Sequence, residues 1–232
     1  MTFLLLIISI LPVVLLGYFI YNKDSEKEPK ILLFKLFVSG FFAAVLVFLF
    51  NLIISKFFPH LLVGNSASFI KLFFMTFVEV ALVEELSKWI MIRFVGYRSK
   101  EFDQLYDIIV YSVFVALGFA MIENMFYVFL SADGMVIGLS RAVLSVPGHV
   151  CFGIFMGVFL GFARINEENK KFNRIYMFLA LIIPTLLHTV YNFCLMTDKY
   201  SFFILFVAFV ISLYIGAIIE VDKISKDDSY YL

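Results

Sequence analysis

Most of the chain is taken up by apolar runs of about twenty residues, a pattern that leaves little choice of fold. An α-helix rises about 1.5 Å per residue, so about twenty apolar residues cross a hydrocarbon core of about 30 Å. Seven runs reach that length, near residues 2–21, 31–54, 69–95, 106–130, 141–164, 175–197 and 202–220. In lipid every backbone donor and acceptor must find a partner within the protein, and runs of this length do so as helices. The expected fold is all-α: a polytopic transmembrane helix bundle of about seven helices, read as a single integral-membrane domain over residues 1–232. With 63% hydrophobic residues and 31 Phe, the chain is excluded as a water-soluble globule. A formal net charge of zero gives no basis for binding nucleic acid.

The first run, apolar from Phe3 to Ile20, has neither a preceding basic region nor a small-residue cleavage signal and reads as a retained span. Cys151 and Cys194 lie within apolar runs, where a free cysteine behaves as a small hydrophobe. The connection from Ser55 to Ser68 contains Pro59, His60 and Gly64 and is expected to hold a short interfacial helix. Leaving aside Lys88, the odd-numbered connections and the tail carry thirteen Lys and Arg and the even-numbered connections four. Cytoplasmic loops hold such an excess, so the amino terminus is expected outside and the carboxyl terminus in the cytoplasm.

Against this background the charges inside the runs stand out. Glu84, Glu85 and Lys88 occupy one and a half helical turns in the third run. Each costs roughly 2.5–3.5 kcal/mol at mid-bilayer. Glu84 and Lys88 share a face at i, i+4, while Glu85 lies about 100° round the helix, so one lysine can neutralise one carboxylate and leave the other free. The pair could simply fix helix packing, but the second acid leaves a net negative charge that asks for a proton, a metal or a substrate.

Three further runs carry strongly polar residues. The fourth has Glu123 and Asn124, with Ala116, Ala120, Glu123 and Tyr127 on one stripe. Asp107, near the start of that run, reads as an ordinary interfacial charge. In the fifth, Arg141, Ser145, His149, Gly153, Gly157 and Gly161 recur four apart, polar above and close-packing below. Pro147 cannot donate to the Val143 carbonyl, which loosens the helix just before His149. The sixth has His188 and Asn192 one turn apart, with Pro184 freeing the Ala180 carbonyl. Helices facing lipid would not tolerate these groups, so they should line a shared interior. Counted at 1.5 Å per residue from the outer ends, Glu123, His149 and His188 lie roughly 10, 12 and 14 Å deep. Water should reach them from the outside.

Two histidines, paired carboxylates and a carboxamide are the parts for hydrolysing an amide. A glutamate takes a proton from water, a histidine orients that water or donates to the leaving nitrogen, and His and Asn donors hold the oxyanion. The same groups suit zinc, with Glu85, Glu123, His149 and His188 as candidate ligands and one glutamate as base. No HExxH helix is present, and the leading reading requires no cofactor.

The motifs Glu84-Glu85-x-x-Lys88, Gly118-Phe119-Ala120 with Glu123-Asn124, His149 followed by Gly153 and Gly157, and His188-x-x-Tyr191-Asn192 resemble, in order, those of the PrsW intramembrane proteases. Glu28-Pro29 and Gly40 also fit that family. The resemblance covers nearly the whole chain. It implies a multi-pass protease making the first, extracytoplasmic cut in a single-pass membrane anti-sigma factor, so that an extracytoplasmic-function sigma factor is released in a stress response. Through the related CAAX prenyl protease and bacteriocin-immunity superfamily, it implies Glu84 as base, His149 as its partner, and His188 and Asn192 as oxyanion donors. Glu85 and Lys88 would then position and neutralise; Glu123, Asn124 and Arg141 are read as supporting residues from proximity. Two other classes compete: a proton- or ion-coupled transporter, which usually shows paired repeats that are not seen here, and a non-catalytic scaffold or immunity protein.

Overall fold

A computed structural model describes residues 2–57, 68–197 and 199–226; the interfacial helix expected around Pro59 and Gly64, with His60, lies outside them. The described residues are almost entirely helical, as the apolar runs require. Helix α1 is Thr2–Lys23, α2 Lys30–Phe57, α4 Leu105–Leu130, α5 Gly134–Ile165, α6 Lys170–Met196 and α7 Tyr200–Ile224, and these six are long and apolar enough to cross a membrane. Between α2 and α4 lies α3, residues 69–95, a helix in three parts: Phe69–Met75, a π-helical stretch Thr76–Leu82, and Val83–Val95. Together they make the third run, and none of the three parts is by itself long enough to cross a membrane.

Helix α4 is the centre. Its apolar window is 83% buried, against 22% for α1 and α7, and α1, α2, α3 and α5 all pack on it. The contact between α2 and α4 is a backbone-to-backbone approach: a Cβ on Gly118 would strike the Phe37 carbonyl, and one on Gly40 the Val115 carbonyl. Backbone cannot swing aside as a side chain does, so Gly118→Val is expected to cost at least about 1–3 kcal/mol. Gly216→Ala, whose Cβ would meet only the Phe155 ring at 3.6 Å, should leave the thermal midpoint in detergent unchanged. The glycine stripe of α5 behaves as its spacing suggests, with Gly153 against Ser112 and Ala116, and Gly157 against the Ile108 and Ile109 backbone.

Helix α5 differs from its sequence-based boundary. It begins at Gly134 rather than near 141, and it is interrupted at Leu144 between Gly134–Val143 and Ser145–Ile165. The break follows from Pro147. The carbonyl it leaves without a helical donor, on Val143, accepts from the Tyr214 hydroxyl of α7 at 2.9 Å, and the Leu144 carbonyl accepts from the same hydroxyl at 3.0 Å. Asp107 is likewise more than an ordinary solvated charge at the start of this helix. It is 1% exposed, and its Oδ2 accepts from the backbone N–H groups of Asp103 and Gln104, closing a capping box at the start of α4.

In the loop before α2, Glu28 is buried near Asp107 and Tyr111. Burial raises its carboxyl to about 8, with the Asp107 and Asp24 carboxylates adding and the Tyr111 hydroxyl opposing. Below about 4.5 Glu28 is neutral folded or unfolded; between there and about 8 the unfolded chain sheds a proton that the folded chain keeps. Its contribution to stability is therefore full at low pH and lost as pH rises to about 8. The thermal midpoint should fall across that window, and Glu28→Gln should flatten the fall.

Candidate active site

Helix α3 brings in Glu84, Glu85 and Lys88, all buried although they span a wide arc. A helix can bury such an arc only when enclosed, and α2, α4 and α6 all pack against this part of α3. Just upstream, the Thr76 hydroxyl accompanies the wider winding by donating to the Leu72 and Phe73 carbonyls. A π segment closes i→i+5 bonds and so shifts the phase of everything after it. That shift sets which faces the two glutamates occupy.

Lys88 Nζ donates to Glu85 Oε1 at 2.7 Å and lies 3.6 Å from Glu84 Oε2. The closer partner is thus the i−3 acid, not the i−4 acid that shares its helical face. The cause lies on other helices: the ammonium sits 4.3 Å over the Phe119 ring of α4 and 3.1 Å from His149 Nδ1 of α5.

His149 Nε2 lies 2.8 Å from Glu123 Oε2, and the same oxygen accepts from Arg141 at 2.7 Å. Arg141 also donates to Asn124 Oδ1 at 3.0 Å, lies 4.3 Å over Tyr127, and is held in register because Asn124 Nδ2 donates to the Ser9 carbonyl at 3.1 Å. Since an ionised carboxylate only accepts, His149 carries its proton on Nε2, and its Nδ1 lone pair faces Lys88. On α6, His188 Nδ1 lies 2.9 Å from Glu85 Oε1, which fixes its N–H there by the same argument. Its Nε2 is 4.0 Å from Glu84 Oε2. Phe152 stacks on the His188 ring at 4.7 Å and 20°, and the two imidazoles lie edge to face at 5.4 Å.

A cavity of about 260 Å³ opens on this cluster, lined among others by Glu84, Glu123, Arg141, His149, His188 and Asn192. All the sequence-derived candidates therefore meet, either at the cavity or, for Glu85, Lys88 and Asn124, in the bonded network behind it. The carboxylate that His149 bonds is Glu123, while Glu84 stands nearer His188. Phe119 and Phe152, which seat Lys88 and His188, went unremarked as site residues in the sequence. Their signal in the sequence is helical spacing, Phe119 four before Glu123 and Phe152 three after His149, with Phe119 also inside the Gly118-Phe119-Ala120 motif.

Glu84, Glu85 and Glu123 bring three negative charges, Lys88 and Arg141 two positive ones. The deficit falls where two buried carboxylate oxygens, Glu84 Oε2 and Glu85 Oε2, have no hydrogen-bond partner among the described residues. One ligand atom from each of Glu84, Glu85, His149 and His188 lies within 4.8 Å of the others, and two carboxylates with two imidazoles form a donor set suited to a divalent ion. The residues fit a metal. Glu84 stands in this group and Glu123, bonded to Arg141 and His149, does not.

Comparison with known proteins agrees. The family model for the PrsW family of intramembrane metalloproteases matches residues 28–217. Proteins named Protease PrsW are 37% identical over 225 residues in Clostridioides difficile, covering 96% of this chain and 90% of that one. In Oceanobacillus iheyensis the identity is 35% over 219 residues, covering 94% and 95%. In Bacillus subtilis it is 33% over 183 residues, covering 79% and 78%. No solved structure matches. A polytopic helical bundle, a buried Glu and His cluster and relatives of near-equal length place the chain in the PrsW family of intramembrane metalloproteases, as a multi-pass membrane protease acting on membrane proteins.

Proposed function

We propose that the chain hydrolyses a peptide bond in a single-pass membrane anti-sigma factor, on the extracytoplasmic side, and so frees an extracytoplasmic-function sigma factor in a stress response. The observation that carries the chemistry is Glu84 Oε2, a buried carboxylate oxygen without a hydrogen-bond partner at the wall of a cavity. A water entering the cavity would meet the Glu84 carboxylate and give up its proton to it while attacking the scissile carbonyl. His188 and Asn192 line the same wall; with Nδ1–H held by Glu85, a second proton on Nε2 makes the His188 imidazolium a donor to the oxyanion in the metal-free site, beside the Asn192 carboxamide. Glu85 orients His188 through Nδ1, and Lys88 donates to the same Glu85 oxygen. Glu123 and Arg141 hold the His149 ring in one tautomer. With His188 Nε2 unprotonated instead, Glu84, Glu85, His149 and His188 would hold a divalent ion, zinc being the choice that imidazole and carboxylate favour, and a bound ion there would supply the Lewis acid for water and carbonyl in place of the His188 donor.

The excess of Lys and Arg on the connection between α1 and α2 and on the carboxyl-terminal side supports an amino terminus outside. The test is co-reconstitution in liposomes with candidate single-pass anti-sigma factors, the cut mapped by mass spectrometry and the metal content of the purified chain measured. A cut on the extracytoplasmic side of the substrate span is the expected result. Ion flux without any peptide-bond cleavage would instead point to transport.

A further inference from the structure

Far from the cluster, α1 and α2 both pack on α4 but scarcely touch each other, which leaves a groove floored by Phe114, Leu117 and Met121. Its volume is about 540 Å³ and its walls are apolar along Ile10 to Tyr21 of α1 and Lys30 to Phe37 of α2. We propose that this groove binds one acyl chain of an anionic phospholipid, with the phosphate on Lys30 and Lys27.

Three observations select that occupant. The first is length: Ile10 to Tyr21 spans about 16 Å along a helix, the depth of one leaflet of a core about 30 Å thick. A substrate's transmembrane helix would have to run through both leaflets, and at about 10 Å across and about 30 Å long it fills several times the groove's volume. The second is charge. Lys30 lines one end of the groove, and Lys27 is fixed at the same end by donating to the Tyr21 and Asp24 carbonyls at 2.7 and 2.6 Å, its ammonium 5.0 Å from the Tyr21 ring. Among the described residues neither ammonium has a carboxylate within ion-pair distance, and two of the three acids of the same loop, Asp24 and Glu28, are buried. The third is side: this end lies on the Lys- and Arg-rich face of the bundle, where anionic headgroups concentrate. Each CH₂ taken into the groove only exchanges lipid for protein, so selectivity must come from the headgroup, with the groove fixing where that headgroup sits.

The experiment is native mass spectrometry of the full chain released from nanodiscs of phosphatidylglycerol or phosphatidylcholine. The wild type is expected to retain one phosphatidylglycerol under conditions that strip phosphatidylcholine. Lys30→Gln should lower that retention at least tenfold, as should Val14→Trp, which fills the groove from an exposed lining position. Lys35→Gln, on the same helix outside the groove, should retain the lipid. Thermal midpoints equal to wild type show that the variants are folded; a variant that fails this check is replaced by Lys27→Gln with Val14→Phe, read in the same way. Equal retention of both lipids, retention unchanged in the folded variants, or a photo-crosslinker at position 14 that captures a substrate span in place of lipid would each overturn the proposal.

Discussion

Glu84→Gln is expected to reduce peptide-bond cleavage by about a hundredfold to ten-thousandfold, the usual worth of a general base, while the bundle stays folded. Glutamine keeps the shape of the side chain and loses only the ability to take a proton. Apart from any bound ion, little else depends on that charge: among the described residues Glu84 Oε2 has no hydrogen-bond partner, and its nearest cation, Lys88, is 3.6 Å away and committed more closely to Glu85. The loss should therefore appear in kcat, with KM and the thermal midpoint little changed. Glu85→Gln is a contrasting case, because Glu85 Oε1 accepts from both Lys88 and His188. Its substitution should lower activity and stability together. Cleavage at the wild-type rate by a folded Glu84→Gln protein would remove Glu84 as the base.

The polar cluster was legible because burial in lipid makes every charge conspicuous. Glu84, Glu85 and Lys88 could be read from a single apolar run, and Pro147 identified both the helix break and the carbonyl that Tyr214 goes on to satisfy. What could not be read were choices made between helices. Spacing within α3 offers Lys88 to Glu84 on a shared face, but Phe119 and His149 draw the ammonium toward Glu85. The π segment Thr76–Leu82 has no such marker either, since its register depends on what α3 packs against. The start of α5 was missed for a local reason. Residues 131–140, with Ser131, Asp133, Gly134, Gly138 and Ser140, resemble a connection, whereas Gly134, packed against the Val128 carbonyl, turns the chain almost at once into the next helix. Phe119 and Phe152 were hidden by numbers, two rings among 31.

Lys88→Met is expected to be the most destabilising single change at the site, by about 3–5 kcal/mol, the cost of leaving a buried charge without its partner. Methionine conserves the aliphatic volume of a side chain that is only 2% exposed, so no large cavity opens and the effect isolates charge. Glu85, fully buried, would keep only the His188 N–H, and Glu84 would lose its nearest cation as well. At about 2–4 °C per kcal/mol for a chain of this size, the midpoint in detergent should fall by about 10 °C. Pairing the change with Glu85→Gln tests the cause. If the loss comes from an orphaned carboxylate, the double variant should regain most of the midpoint, because a buried ion pair replaced as a unit costs far less than one broken in half. If Lys88 instead matters through its stem against Phe119, the double variant should be no more stable than Lys88→Met alone. Activity should stay low in either case, because the amide of the double variant accepts from His188 without the negative charge that holds and polarises the ring. Stability regained without activity would thus assign Lys88 to holding the carboxylates in place, and leave the proton transfer to Glu84.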